Sequence, residues 1–84
     1  MTYQIEFKPR SIKDLAKLAP KDRAKVLTRI EQLQTNLSGD IKKLTNFTPE
    51  YRLRVGDYRV LFELQEKTVM IYRIAHRREI YQQR

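Results

Sequence analysis

The stretch Tyr51-Arg52-Leu53-Arg54-Val55-Gly56-Asp57-Tyr58-Arg59-Val60 constrains the fold more than any other part of this chain. Apolar residues alternate with arginines on both sides of Gly56-Asp57, the pattern of two short strands joined by a tight turn. A two-residue loop pairs Val55 with Tyr58, Arg54 with Arg59, Leu53 with Val60 and Arg52 with Leu61. Arg54 and Arg59 then stand directly opposite each other on one face. Like charges so placed repel and weaken a sheet. The pattern therefore predicts an anion held between two guanidinium groups, and it marks the hairpin as a candidate site.

The remaining elements follow from periodicity and breakers. Tyr3, Ile5 and Phe7 alternate with Gln4, Glu6 and Lys8, a half-buried strand that Pro9 ends. Ser11 is placed to cap a helix, with Asp14 three residues on to reach back to it. Ile12, Leu15, Ala16 and Ala19 fall on one face of that helix. Pro20 stops it and opens the next, because proline suits a first helical turn. Val26, Ile30, Leu33 and Leu37 continue the apolar stripe, and Ser38-Gly39-Asp40 closes the second helix. Residues 41–50 read as a connection anchored by Ile41, Leu44 and Phe47.

Beyond the arginine hairpin, Glu66-Lys67 turns the chain into a third strand from Thr68 to Ile74. A plain two-residue turn would set Arg73 opposite Val60, on the apolar face. The sequence therefore requires a bulge or a longer turn in this pair. The order β-α-α-β-β-β gives an α+β fold, a two-helix hairpin packed on one face of an antiparallel sheet. Tyr51, Leu53, Val60, Phe62 and Leu64 face the helices. Arg52, Arg54 and Arg59 line the opposite face. Residues 1–84 form a single domain with no internal repeat or linker.

Charge points to the class of partner. The formal net charge is +8. Residues 1–50 carry seven Lys and three Arg, whereas residues 51–84 carry one Lys and seven Arg. Lysine suits a solvated helix face, while arginine suits bidentate phosphate contacts and stacking on bases. The back half is thus the working surface, and a polyanion such as nucleic acid is the expected partner. The chain has no cysteine and one histidine, which excludes disulfides and thiolate chemistry and argues against a metal site or other cofactor. No apolar run approaches the roughly 20 residues of a membrane span, and the N-terminus lacks a signal-peptide pattern, so a cytoplasmic location without a membrane partner is expected.

Arg52, Arg54, Arg59, His76, Arg77 and Tyr81 share the open face or the tail that follows it. Arg73 and Arg78 add to the basic surface available to RNA. Metal-free RNA cleavage needs a base for the 2′-hydroxyl, cations for the charge that develops on the phosphate, and an acid for the leaving 5′-oxygen. Arginines serve the second need. They fail the first, since a guanidinium stays protonated. His76 and Tyr81 are the titratable candidates, and Tyr81 could instead stack on a base.

At these residues the chain resembles the RelE/ParE superfamily of toxins from toxin–antitoxin systems, with the RelE branch the nearer. The motifs that carry the resemblance are the Tyr-x-Ile-x-Phe opening strand, the two helices, Tyr51 to Val60, and His76-Arg77-Arg78-Glu79-Ile80-Tyr81. The resemblance implies a type II toxin that enters the ribosomal A site and cleaves mRNA there, without metal, by attack of the 2′-oxygen on the adjacent phosphate. It assigns Arg52 and Arg54 to the family's basic active-site pair, Arg59 and Arg77 to phosphate stabilisation, and Tyr81 to the C-terminal tyrosine. The best-known RelE toxin has lysines where this chain has Arg52 and Arg54. That departure moves these two residues to positioning and electrostatics, and leaves the proton to Tyr81 or His76.

The resemblance also implies a cognate RelB-type antitoxin that wraps the toxin as an extended, partly acidic segment. It would either cover the arginine face or displace the segment carrying Tyr81. Operator DNA would be bound only through the antitoxin complex. Two other readings compete. One is a ParE-type inhibitor of DNA gyrase, and the other is a non-catalytic nucleic-acid-binding module.

Overall fold

The computed structural model of the chain describes residues 2–35, 37, 40–44 and 48–80. The elements run β1 (Gln4–Phe7), α1 (Pro9–Lys17), α2 (Pro20–Gln32), β2 (Ile41–Lys43), β3 (Tyr51–Val55), β4 (Tyr58–Gln65) and β5 (Thr68–His76). The strands form one sheet in the order β1-β5-β4-β3-β2. Both helices cover one face, which gives the expected α+β architecture. β1 lies parallel to β5, with Gln4 beside Thr68 and Phe7 beside Ile71, so the sheet is mixed. That parallel edge follows from the helices: they carry the chain across the sheet between its first strand and the later meander. The short strand β2 falls inside the segment expected to be a plain connection, and pairs antiparallel with β3.

The arginine hairpin has the register its alternation demands. Val55 pairs with Tyr58, Arg54 with Arg59, Leu53 with Val60, and Arg52 with Leu61. Gly56 takes a φ of +59°, a left-handed conformation that glycine adopts without steric cost. The β4–β5 hairpin keeps a two-residue turn and shifts register between Leu61 and Phe62. Tyr72 is the extra residue of this bulge. Val60 thereby pairs with Ile74 rather than Arg73, and both fully buried residues stay in the core.

The core lies between the sheet and α2. Val26, Ile30 and Leu33 pack with Leu53, Val55, Val60, Phe62, Val69, Ile71 and Ile74. Tyr51 and Leu64 pack against this cluster from its rim, so the residues expected to face the helices do so. Tyr51 also stacks on Phe62, its cross-strand partner, with ring centroids 5.4 Å apart.

Helix α1 departs from its apolar pattern. Ser11 and Asp14 are buried, while Ile12 is 56% exposed and Ala16 and Ala19 are exposed. Ser11 is not the N-cap. The helix starts at Pro9 after Lys8, and the Ser11 hydroxyl donates to the Lys8 carbonyl at 2.7 Å. Asp14 does not reach back to a cap either. Its Oδ2 accepts from Arg73 Nε at 2.8 Å and from the Ile74 amide at 2.9 Å. Those two partners on β5 set Ser11 and Asp14 on the inner face of α1 beside Leu15 and Leu18, which pack against the core, while Ile12 turns outward. The C-terminal carbonyls of α1 are met by Arg23 of α2, which donates to Leu15 and Leu18 at 3.1 and 2.9 Å. Helix α2 ends at Gln32, earlier than expected. Ser38, Gly39 and Phe47, given roles in the sequence reading, lie outside the described residues.

Candidate nucleic-acid interface

Strand alternation assembles the basic face. Arg52, Arg54 and Arg59 alternate with core residues, so they point away from the helices. The β2–β3 ladder adds two residues that the sequence reading missed. Lys42 pairs with Arg52 in register, and the Arg54 amide donates to the Asp40 carbonyl at 2.9 Å, which sets Asp40 opposite Arg54. Three residues are too few to show a period of two, so Lys42 was read as part of a connection and Asp40 as part of the end of the second helix.

A carboxylate of the chain itself, not an external anion, lies between two guanidinium groups, and the pair is Arg52 and Arg54 rather than Arg54 and Arg59. Asp40 Oδ1 lies 3.7 Å from Arg52 Nη2, and its Oδ2 lies 3.7 Å from Arg54 Nε. Arg59 turns the other way. It is buried, and its Nη1 donates to the carbonyls of Gly56 and Tyr58 at 2.8 and 3.0 Å. The repulsion expected between Arg54 and Arg59 is thus relieved by local acceptors on each side. Arg59 braces the turn, while Arg54 remains half exposed. Arg52 Nε is buried and has no hydrogen-bond partner among the described residues. A buried donor left unmade costs about 1–3 kcal/mol.

The other expected site residues divide between the faces. Arg73 shares a register position with Leu61 on the basic face, yet its Nε is held by Asp14 at the outer edge of β5. The Arg77 amide donates to the Asp57 carbonyl at 2.8 Å, which moors the exposed Arg77 beside the hairpin turn. Arg78 is exposed, and its amide donates to His76 Nδ1 at 3.2 Å. His76 is not brought to the arginine face. It pairs with Tyr58 on the helix side, where the two rings meet edge-on at 5.8 Å. There His76 borders a cleft of about 370 Å³ with Arg10, Asp14, Lys17, Tyr58 and Glu79. Burial raises the Tyr58 phenol above its ordinary pKa. Its hydrogen bond to Asp22 and the charges of Asp22, Asp57 and Glu79 add to the rise. Tyr81 lies outside the described residues.

Leu61 and Ile80 are almost completely buried but belong to neither the helix-side cluster nor its rim. Leu61 sits on the arginine face, in register with Arg52 and Arg73. The basic face therefore surrounds an apolar residue and is not uniformly open.

The chain is thus a small α+β protein with a basic sheet face, on which Arg52 and Arg54 flank the Asp40 carboxylate. Comparison with known proteins gives the family. The model of the ParE toxin of type II toxin–antitoxin systems (parDE) matches residues 5–81. Toxin RelE3 of Methanocaldococcus jannaschii is 32% identical over 83 residues, spanning 93% of this chain and 94% of that protein. The RelB–RelE antitoxin–toxin complex of Methanococcus jannaschii contains a chain with a TM-score of 0.76 and 32% identity, covering 92% of this chain and 95% of its own length. The RelBE2 complex of Mycobacterium tuberculosis gives a TM-score of 0.78 at 27% identity, over 90% and 99% of the two chains. The chain belongs to the RelE/ParE family, and is a type II toxin–antitoxin toxin of the RelE kind.

Proposed function

We propose that this toxin is a ribosome-dependent endoribonuclease that cleaves mRNA in the A site without metal. The observation that carries the reading is the Arg52–Arg54 cradle, which already spans one anion through Arg52 Nη2 and Arg54 Nε. Arg52 and Arg54 position the scissile phosphodiester. Arg59 and Arg77 stabilise the charge that develops on it as the 2′-oxygen attacks. Lys42, across the ladder from Arg52, adds a cation on the same face. The attacking 2′-oxygen bonds to phosphorus, the bond to the 5′-oxygen breaks, and one proton leaves the nucleophile while one joins the leaving group. Tyr81 is the preferred residue for that proton traffic, because His76 borders the cleft on the helix side.

The partner proposed is a RelB-type antitoxin, since the related toxins of Methanococcus jannaschii and Mycobacterium tuberculosis are found in complexes with one. Operator DNA would be reached only through that complex. Among the described residues no helix is long and apolar enough to cross a membrane. We place the toxin in the cytoplasm, where its ribosomal substrate lies.

Induced expression followed by mapping of mRNA 5′ ends on ribosomes tests the proposal. Cuts within codons, absent when the antitoxin is co-expressed, are the expected result. A second reading is favoured by the ParE description of the matching family, namely inhibition of DNA gyrase. Gyrase-linked DNA breaks with intact mRNA would establish that reading instead. Salt-sensitive nucleic-acid binding with neither kind of break would leave a non-catalytic module.

A further inference from the structure

We propose that Asp40 is a tethered counter-anion of the arginine pair, which a phosphodiester backbone displaces when it binds. The residue is fixed in place by its backbone. The Arg54 amide donates to its carbonyl at 2.9 Å and extends the β2–β3 ladder by one position. Its two carboxylate oxygens are divided between two cations, Oδ1 toward Arg52 Nη2 and Oδ2 toward Arg54 Nε, each at 3.7 Å. One anionic group with different oxygens on different guanidiniums is also how a phosphate would sit there.

The contact is loose. Both distances exceed a hydrogen bond, and the carboxylate is half exposed to solvent. Among the described residues Arg52 Nε finds no hydrogen-bond partner, although Asp40 is nearby. A phosphodiester offers two anionic oxygens free of the strand that carries Asp40, and neighbouring phosphates for Lys42. It can therefore approach Arg52 Nη2 and Arg54 Nε to hydrogen-bond distance, which Asp40 does not do. The consequence is selectivity by charge density. Isolated weak anions compete poorly with a carboxylate already in place, whereas a chain of phosphates displaces it.

This inference depends on the arginine face binding nucleic acid, as proposed above, but not on cleavage. Its test is therefore a binding measurement with a substrate that cannot be cut by 2′-oxygen attack. A fluorescently labelled single-stranded deoxyoligonucleotide is titrated with the full chain, and anisotropy is read. Asp40→Asn should bind roughly two- to tenfold tighter than wild type, the range expected for releasing two exposed ion pairs. Glu66→Gln, which makes the same change in net charge at the β4–β5 turn, should bind as wild type does. The Asp40→Asn gain should vanish when Arg52 and Arg54 are both alanine.

Three results overturn the proposal: no gain from Asp40→Asn, an equal gain from Glu66→Gln, or a gain that persists without the two arginines. Undetectable binding by wild type and Asp40→Asn alike overturns it too. Circular-dichroism melts confirm that each variant is folded. Tight Asp40→Asn binding in a chain that never cleaves mRNA would refute the enzymatic reading and leave this one standing.

Discussion

Asp14 and Arg73 lie 59 residues apart and meet at 2.8 Å, joining α1 to the outer edge of β5. The same Asp14 oxygen accepts the Ile74 amide, a group β1 does not reach because its pairing stops at Ile71. A side chain thus completes the sheet edge where a strand is missing. Asp14→Ala leaves both donors without this acceptor and should cost about 2–4 kcal/mol. In a domain of this size that lowers the melting temperature by on the order of 10–20 °C. Asp14→Asn keeps an acceptor for the amide and should fall between the two. Wild-type melting by Asp14→Ala would show that the edge needs no such closure.

Arg52 and Arg54 separate function from stability better than Arg59 does. Among the described residues neither has more than a loose ion pair to Asp40 through its side chain. Arg52→Ala and Arg54→Ala should each slow mRNA cleavage on purified ribosomes by about 10²-fold, with melting close to wild type. Arg59→Ala should also lose cleavage, but it strips the turn carbonyls of Gly56 and Tyr58 of a donor and should destabilise the fold by about 1–3 kcal/mol. Single-turnover rates set beside urea midpoints check this. Equal stability losses in all three variants would refute the division.

The hairpin was legible because its signal is local. Alternation and a two-residue turn fix five pairs between β3 and β4, and the core constraint on Val60 demands the bulge found at Tyr72. The inner face of α1 was not legible. Ser11 and Asp14 are polar, and Asp14 is buried because of partners near the other end of the chain. No window over residues 9–17 contains that information. β2 escaped for a different reason: a three-residue strand has no measurable period, and its pairing with β3 is what reveals it. The basic sheet face was therefore read without the carboxylate of Asp40, just before β2, and without Lys42 within it. His76 was grouped with them by proximity in sequence, whereas its register with Tyr58 puts it on the other face.

That register leads to a prediction about the proton. His76 meets Tyr58 and the Arg78 amide on the helix side. His76→Gln should therefore keep cleavage within about threefold of wild type, while Tyr81→Phe should lose on the order of 10²-fold, the scale of general acid–base catalysis. A large loss confined to His76→Gln would return the proton to the histidine.

The two hairpin turns differ at their first residue. Gly56 has a φ of +59° in one, and Glu66 has a φ of +57° in the other. An L side chain in this region costs on the order of 1 kcal/mol, and glycine removes that cost at some loss of chain entropy. Glu66→Gly should stabilise the fold by about 0.5 kcal/mol, seen as a higher urea midpoint at unchanged slope. The converse change, Gly56→Ala, meets open space and should destabilise through backbone strain alone, by about 1 kcal/mol. A lower midpoint for Glu66→Gly would mean that the glutamate side chain contributes more than its conformation costs.

Alkaline pH should expose the Tyr58–Asp22 contact. The Tyr58 hydroxyl donates to Asp22 at 3.2 Å, and burial together with that carboxylate raises the phenol pKa in the folded chain. The unfolded phenol titrates near its ordinary value of about 10. Below that pH both states are protonated, and the contribution is fully present. As pH rises above it, the unfolded chain releases its proton first, so stability falls until the folded phenol also titrates. Tyr72 acts in the same direction, raised by burial and by Glu63, whose carboxylate accepts its hydroxyl at 3.3 Å. Tyr58→Phe should be less stable than wild type near neutral pH, where it lacks the bond to Asp22. It should also lose less stability as the pH is taken past about 10. Urea midpoints for the two proteins on either side of that pH measure the difference. Parallel decline in both would mean that the Tyr58 proton is held no more tightly in the folded chain than in the unfolded one.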